Sequence, residues 1–349
     1  MNLWIPRAER IDLLARLGQH LVSEDELLQA VMQRTYHHNN WFTVDNQRRA
    51  LQGISREYLD PAKLAHWLQA YDLPEPQVPQ TIGLVMAGNI PLVGFHDWLS
   101  VFVAGHRAQI KLSDKDQFLF PYLMKWLQQQ DERVSQYVDF VPQLKGFDAV
   151  IATGSNNASR YFEAYFSRYP HIIRRNRNAV AMLDGTESRE ELVALGEDVF
   201  AYFGLGCRNV AKLYVPEGYD FDPLLEALHE YRNLILHQKY KNNFDYNYAI
   251  YVMNKVDYRA NGCVLLTENK AIPSHIAGLY YEYYPDPRAV AEELTNRASE
   301  IQCVVAHKPV ADLPTFPFGQ AQRPTLTDYA DGIDTLAFLR KLNEKEPTR

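Results

Sequence analysis

Over the first 75 residues apolar side chains recur at helical spacing: Ile11, Leu14, Leu17 and Leu21, then Leu27, Leu28, Val31 and Met32. That period predicts amphipathic helices, with Ser23 and Glu26 reading as a capping box ahead of the second. Asp60 followed by Pro61 predicts another helix start, a capping carboxylate and then proline where its missing N–H costs nothing. Residues 73–80 (LPEPQVPQ) carry three prolines and read as a linker. Beyond it the period changes. Residues 81–87 (TIGLVMA), 107–112 (RAQIKL), 147–153 (FDAVIAT) and 179–183 read as short strands, buried on both faces. Helices are predicted between them, from the turn at 88–91 to residue 104, at 116–129 and at 157–168.

Strand, turn and helix at this rhythm predict an α/β fold with a parallel sheet. Ligands of such sheets sit at the carboxyl ends of the strands. Those ends here carry Asn89, Lys111 with Asp114, and Thr153-Gly154-Ser155. A second strand-bearing section follows Glu187. It comprises a helix to residue 203, the sequence Gly204-Leu205-Gly206-Cys207, a strand at 211–215 and a helix at 223–232. Further strands are predicted at 248–253, 263–266, 279–284 and 303–305. No internal repeat interrupts this pattern.

The 349 residues suffice for two domains, and 46% hydrophobic with 23% charged residues is ordinary globular composition. A net charge of −7 sets the overall field against nucleic acid, and the one dense basic run, Arg174, Arg175 and Arg177, is short. No signal peptide is apparent over residues 1–11, and no apolar run is long enough to span a bilayer, which predicts a soluble, cytoplasmic protein. Three widely spaced cysteines, Cys207, Cys263 and Cys303, suit neither a disulfide framework nor a zinc site. His37 and His38 have no ligand partner at matching spacing and read as a solvated loop, so no metal is expected.

Cys207 follows two glycines spaced by one residue, a setting that lets backbone approach a ligand and leaves an amide for an oxyanion. It reads either as a nucleophile, aided by Arg208 if that side chain faces the sulfur, or as a buried structural thiol. Cys263 and Cys303 lie in apolar strand-like runs and read as packing residues. Asn89 is an oxyanion donor or a turn residue. Lys111 is a ribose or phosphate contact or a sheet-end lysine, and Thr153-Gly154-Ser155 is a phosphate-binding or an ordinary strand-to-helix turn.

Taken in order, these features resemble the aldehyde dehydrogenase superfamily. Gly88-Asn89-Ile90-Pro91 is similar to its Trp-Asn-Phe-Pro segment, and Ile110-Lys111-Leu112-Ser113-Asp114 to its Val-x-Lys-Pro-Ser-Glu strand. Ala152-Thr153-Gly154-Ser155 is similar to Phe-Thr-Gly-Ser, and Phe203-Gly204-Leu205-Gly206-Cys207 to Gly-Gln-x-Cys. Within the superfamily the chain resembles the LuxC-type acyl-CoA reductases. That likeness rests on Gly319-Gln320-Ala321-Gln322 and on Asp328-Tyr329-Ala330-Asp331-Gly332-Ile333-Asp334-Thr335.

The resemblance implies an aldehyde-dehydrogenase-like α/β fold, with a nucleotide-binding parallel-sheet domain and a smaller α/β catalytic domain. The expected spans are 1–176 for the N-terminal helices and NAD(P)-binding domain and 177–310 for the thiol domain. Residues 311–349 are expected to return to the body or to an oligomer interface. Catalysis would fall to Cys207 and Asn89, and cofactor binding to Lys111, Asp114, Thr153, Gly154 and Ser155. The implied cofactor is NADPH, with NADH the alternative. The implied reaction reduces an acyl-CoA or acyl-protein donor to an aldehyde through a Cys207 thioester, in a homo-oligomer. Short-chain CoA-acylating aldehyde dehydrogenase, acyl-phosphate reductase and a non-catalytic binding module are the competing readings. Where hydrolytic relatives carry a glutamate that activates water, residues 173–178 (IRRNRN) have no carboxylate. The family's second glutamate has no certain counterpart, Glu268 being nearest.

Overall fold

Helices open the chain as their period predicts. The computed structural model describes residues 4–76 and 78–343, so residues 1–3 and 344–349 of the predicted outer spans, with Gln77, lie outside the described residues. Helix α1 (Arg7–Leu21) buries Leu13, Leu14, Leu17 and Leu21. Helix α2 (Glu26–His38) starts from Asp25, whose carboxylate accepts the Leu28 N–H at 2.7 Å. The predicted Ser23–Glu26 box does not form, because Ser23 belongs to the turn that closes α1 and donates to the His20 carbonyl. His37 and His38 end α2 rather than lying in a loop, and the His38 ring meets the Asp114 carbonyl at 2.7 Å. Helix α3 (Val44–Gly53) runs into a π-helical turn, and α4 (Pro61–Gln69) begins at Asp60, which accepts from the Lys63 N–H. The proline-rich stretch then crosses as extended chain, pinned where Arg10 pairs with Glu75 at 2.9 Å and Arg7 donates to the Leu73 carbonyl.

The first sheet follows in the order β1 (Thr81–Val85), α5 (Phe95–Val103), β2 (Arg107–Lys111), α6 (Leu119–Gln130), β3 (Val138–Phe140), β4 (Ala149–Thr153), α7 (Asn156–Phe166) and β5 (His171–Arg174). The strands lie in the order β3-β2-β1-β4-β5, all parallel. Nothing in the sequence pattern announces strands β3 and β5; at three and four residues they are too short to show a period. Ile82, Leu84, Ile110 and Ile151 join Trp98 and Phe102 in the core.

The second sheet is built from β6 (Asn178–Met182), α8 (Arg189–Phe200), β7 (Val210–Pro216), α9 (Asp222–Leu228), α10 (Gln238–Asn254), β8 (Arg259–Ala260), β9 (Leu265–Glu268), β10 (Gly278–Tyr284), α11 (Pro287–Asn296), β11 (Ile301–Ala306) and β12 (Thr315–Phe316). Its order is β12-β11-β6-β7-β10-β9-β8, parallel except at the β8–β9 edge. The strand expected at 248–253 is instead the last turns of α10, and α8 stops at Phe200, short of residue 203. Aromatic and β-branched residues suggested a strand there, but propensity yields to context. Helix α12 (Thr335–Asn343) closes the described chain. Two units result, Met1–Arg175 with Pro324–Arg349, and Asn176–Arg323.

Candidate active site

In the first unit the order of strands reverses around β1, which has β2 on one side and β4 on the other. Crossovers leave in opposite directions from such a point and open a crevice at the strand carboxyl ends. Register sets the predicted residues around it: Val85, the last residue of β1, pairs with Lys111 on β2 and with Ala152, the neighbour of Thr153, on β4. Asn89 is half-buried in the turn that leaves β1. That turn is close-packed, since a Cβ on Gly88 would lie 2.5 Å from the Ser113 hydroxyl oxygen. Leu92 takes a left-handed conformation (φ 57°) and donates its N–H to Asp116 at 2.8 Å. Burial pushes the Asp116 carboxyl up to about 6, against the pull of that N–H. Asp116 thus holds the Asn89 turn, a role nothing in the local pattern signals.

Lys111 and Asp114 are both exposed. Ser155 caps α7, accepting the Ala158 N–H at 3.2 Å, while the Gly154 N–H pairs with the Arg174 carbonyl at 3.3 Å. The Gly154 amide is therefore used by the sheet, and the exposed start of α7 at Asn156 and Asn157 is the end suited to an anion. An exposed lysine at one strand end and a helix start at the next are a donor set that fits a dinucleotide's ribose and phosphates.

The thiol region lies in the second unit, ahead of central strand β7. Helix α8 ends at Phe200, and Tyr202, Phe203 and Gly204 then all adopt positive φ (53°, 60° and 76°). Two non-glycine residues in succession in this region are strained, and such strain persists only where the surroundings enforce it. The Phe203 ring packs on His237, centroids 4.3 Å apart, and near Tyr240. Asn209 ties the turn together. Its amide donates to the carbonyls of Asp198 (3.0 Å), Val199 (3.3 Å) and Ala201 (2.9 Å), and its side-chain oxygen accepts the Gly206 N–H at 2.7 Å. Asp198 is fully buried and accepts the N–H groups of Gly319 (2.6 Å) and Ala321 (3.0 Å), with burial pushing its carboxyl up to about 7. The segment Gly319-Gln320-Ala321, singled out from the sequence, is thereby fastened to the helix that leads to Cys207.

Cys207 is partly accessible, whereas Cys263 and Cys303 are buried. Burial pushes the Cys263 thiol up to about 11, which removes it as a nucleophile near neutral pH. The Arg208 guanidinium lies over the Phe316 ring at 5.4 Å. In the stretch expected to lack a carboxylate, Arg174 is buried against Asp97 and Thr335, and Arg177 donates to the carbonyls of Ala298 and Ile301. Among the described residues, Asp184, Glu187 and His307 bring side chains of metal-ligand type together, and they already have internal partners: Lys308 bonds Asp184 at 2.7 Å, and both Glu187 oxygens accept backbone N–H groups.

No protein-family model matches the sequence, nor does any curated protein. Solved structures do resemble it. Aldehyde dehydrogenase 21 from Physcomitrella patens, in complex with succinate, is 12% identical with a TM-score of 0.68 over 97% of this chain and 84% of that one. An acetylating aldehyde dehydrogenase from Geobacillus thermoglucosidasius is 11% identical, TM-score 0.62, over 92% and 86%. An NAD+ complex of an aldehyde dehydrogenase from Bacillus cereus is 13% identical, TM-score 0.61, over 86% and 72%. At such identities the likeness concerns the fold, and the protein has the α/β architecture of the aldehyde dehydrogenases, with a parallel-sheet domain of the nucleotide-binding kind.

Proposed function

We propose that the protein is an oxidoreductase that reduces an acyl-CoA to an aldehyde through a thioester on Cys207. One observation carries the reading: the partly accessible thiol sits at the end of a strained left-handed turn, while the other two cysteines are buried. Likeness to an acetylating aldehyde dehydrogenase supports CoA as the acyl carrier. Likeness to an NAD+-bound aldehyde dehydrogenase, together with Lys111 and the start of α7 at the strand ends, supports a nicotinamide cofactor, which in this reading is NADPH.

The Cys207 thiolate attacks the acyl carbon, the carbon–sulfur bond to CoA breaks, and CoA leaves as its thiolate. The new thioester carbon accepts a hydride, and the thiohemiacetal collapses to aldehyde, returning the electron pair to the Cys207 sulfur. A bound nicotinamide supplies the hydride. The reading assigns the Cys207 N–H and the Asn89 amide to the oxyanion, donors typically worth about 3 kcal/mol each. Lys111, Asp114, Thr153, Gly154 and Ser155 are assigned to the cofactor.

Intact mass after incubation with acyl-CoA and no reductant tests this directly. One acyl group should add, map to Cys207 and vanish in Cys207→Ala. An adduct on Cys263 or Cys303 refutes the assignment.

A further inference from the structure

The turn that carries Cys207 is under unusual constraint, and the constraint has one centre. Helix α8 stops at Phe200, and the chain reverses through three consecutive left-handed residues before the thiol. A helix end leaves carbonyls without intrahelical partners. Here the carbonyls of Asp198, Val199 and Ala201 converge on one side chain, the amide of Asn209, which is 1% exposed. The same side chain accepts the Gly206 N–H, and the Asn209 N–H returns to the Gly206 carbonyl at 3.1 Å. Asn209 therefore grips the residues before Cys207 from the residue two beyond it, so the thiol and its backbone N–H lie inside a closed loop of hydrogen bonds.

We propose that Asn209 is a positioning residue for Cys207, setting the direction of the Cys207 N–H toward the oxygen of the acyl group. The proposal rests on the reading of Cys207 as the acyl acceptor. No other side-chain type makes this grip at this size. Aspartate keeps the acceptor for Gly206 but sets negative charge against three carbonyls. Alanine removes all four of these side-chain bonds from buried backbone groups, and serine is too short to reach both ends.

Two reactions of the same sulfur separate positioning from plain structural support. Acylation by acyl-CoA develops an oxyanion and needs an aimed donor, whereas alkylation by iodoacetamide needs only an accessible thiolate. Both rates are measured across pH 6 to 10 for wild type, Asn209→Ala and Asn209→Ser, at a temperature where circular dichroism shows each variant folded. The proposal expects acylation to fall roughly 100-fold, as misplacement by about 1 Å can cause, with alkylation falling less than about tenfold. Asn209→Ser, which retains one hydroxyl donor, keeps the test available if Asn209→Ala does not fold. Equal losses in both reactions, or undiminished acylation, overturn the proposal while leaving Cys207 as the acyl acceptor. A wild-type protein that is alkylated at Cys207 but accepts no acyl group overturns the underlying reading, and the proposal with it.

Discussion

His106 is fully buried beside Gln80, whose N–H meets its Nδ1 at 3.3 Å. Burial pushes its pKa down to about 4, aided by Arg10 and opposed by the Leu339 carbonyl and Asp148. Between pH 4 and the ordinary histidine value near 6.5 the unfolded chain thus binds the extra proton, so stability falls as pH falls through that window. A shift of that size corresponds to about 3 kcal/mol. Asp116 and Asp198 act in the opposite sense. Their carboxyls are raised to about 6 and about 7, so the folded state holds the extra protons and stability falls as pH rises from near 4. Chemical denaturation of wild type and His106→Gln from pH 7 to 4 should show the wild type losing its advantage as acid is added. A pH-independent difference between the two would mean that His106 takes up its proton equally in the folded and unfolded chain.

Among the elements, the most consequential link joins α5, β5 and α12. Arg174 at the end of β5 is buried, bonded through one nitrogen to Asp97 on α5 and through the other to Thr335 at the start of α12, at 2.7 Å. Removing one partner of a buried ion pair strands the other charge, at a cost of about 3–5 kcal/mol. Asp97→Ala should lose stability on that scale in urea denaturation, and adding Arg174→Met should recover part of it. Strictly additive losses would show that the pair is uncoupled. The same link explains the acidic and aromatic segment 328–335. Tyr329 accepts from Trp67 Nε1 at 2.8 Å and meets Tyr71, which donates to Asp334 at 2.6 Å, so these residues fasten the chain's end to the first unit. The segment stood out in the sequence for a resemblance, and its neighbours here are structural ones.

At the scale of the whole molecule, the fold has aldehyde dehydrogenase architecture, and no described helix is long and apolar enough to cross a membrane. What separates acyl transfer from hydrolysis is the fate of the thioester. Residues 173–178 carry three arginines and no carboxylate, and Asp97 is committed to Arg174. General-base help is commonly worth a factor of about 100 to 10,000. The acyl adduct on Cys207 should therefore persist for minutes in buffer, followed by intact mass, and discharge promptly to aldehyde when NADPH is added. Rapid release of free acid without CoA would reveal another base, Glu268 being the first to test, and would move the protein to the hydrolytic enzymes.

Amphipathic period, proline punctuation and short apolar runs sufficed for the N-terminal helices, the alternating strands and helices and the strand-end positions of Asn89, Lys111 and Thr153. These features are local: a helix face or a buried strand is written within a dozen residues. The sequence alone could not supply β3 and β5, whose few residues become strands through neighbours that complete their hydrogen bonds. Nor could it separate helix from strand at 248–253, where aromatic residues suit both and α10 prevails. The left-handed run at 202–204, the Asn209 clamp and the grip of Asp198 on Gly319 and Ala321 belong to the tertiary structure as well. Each depends on groups brought together by folding, Asp198 and Gly319 from 121 positions apart. Buried polar groups must find partners wherever the chain presents them, and that requirement has no period to read.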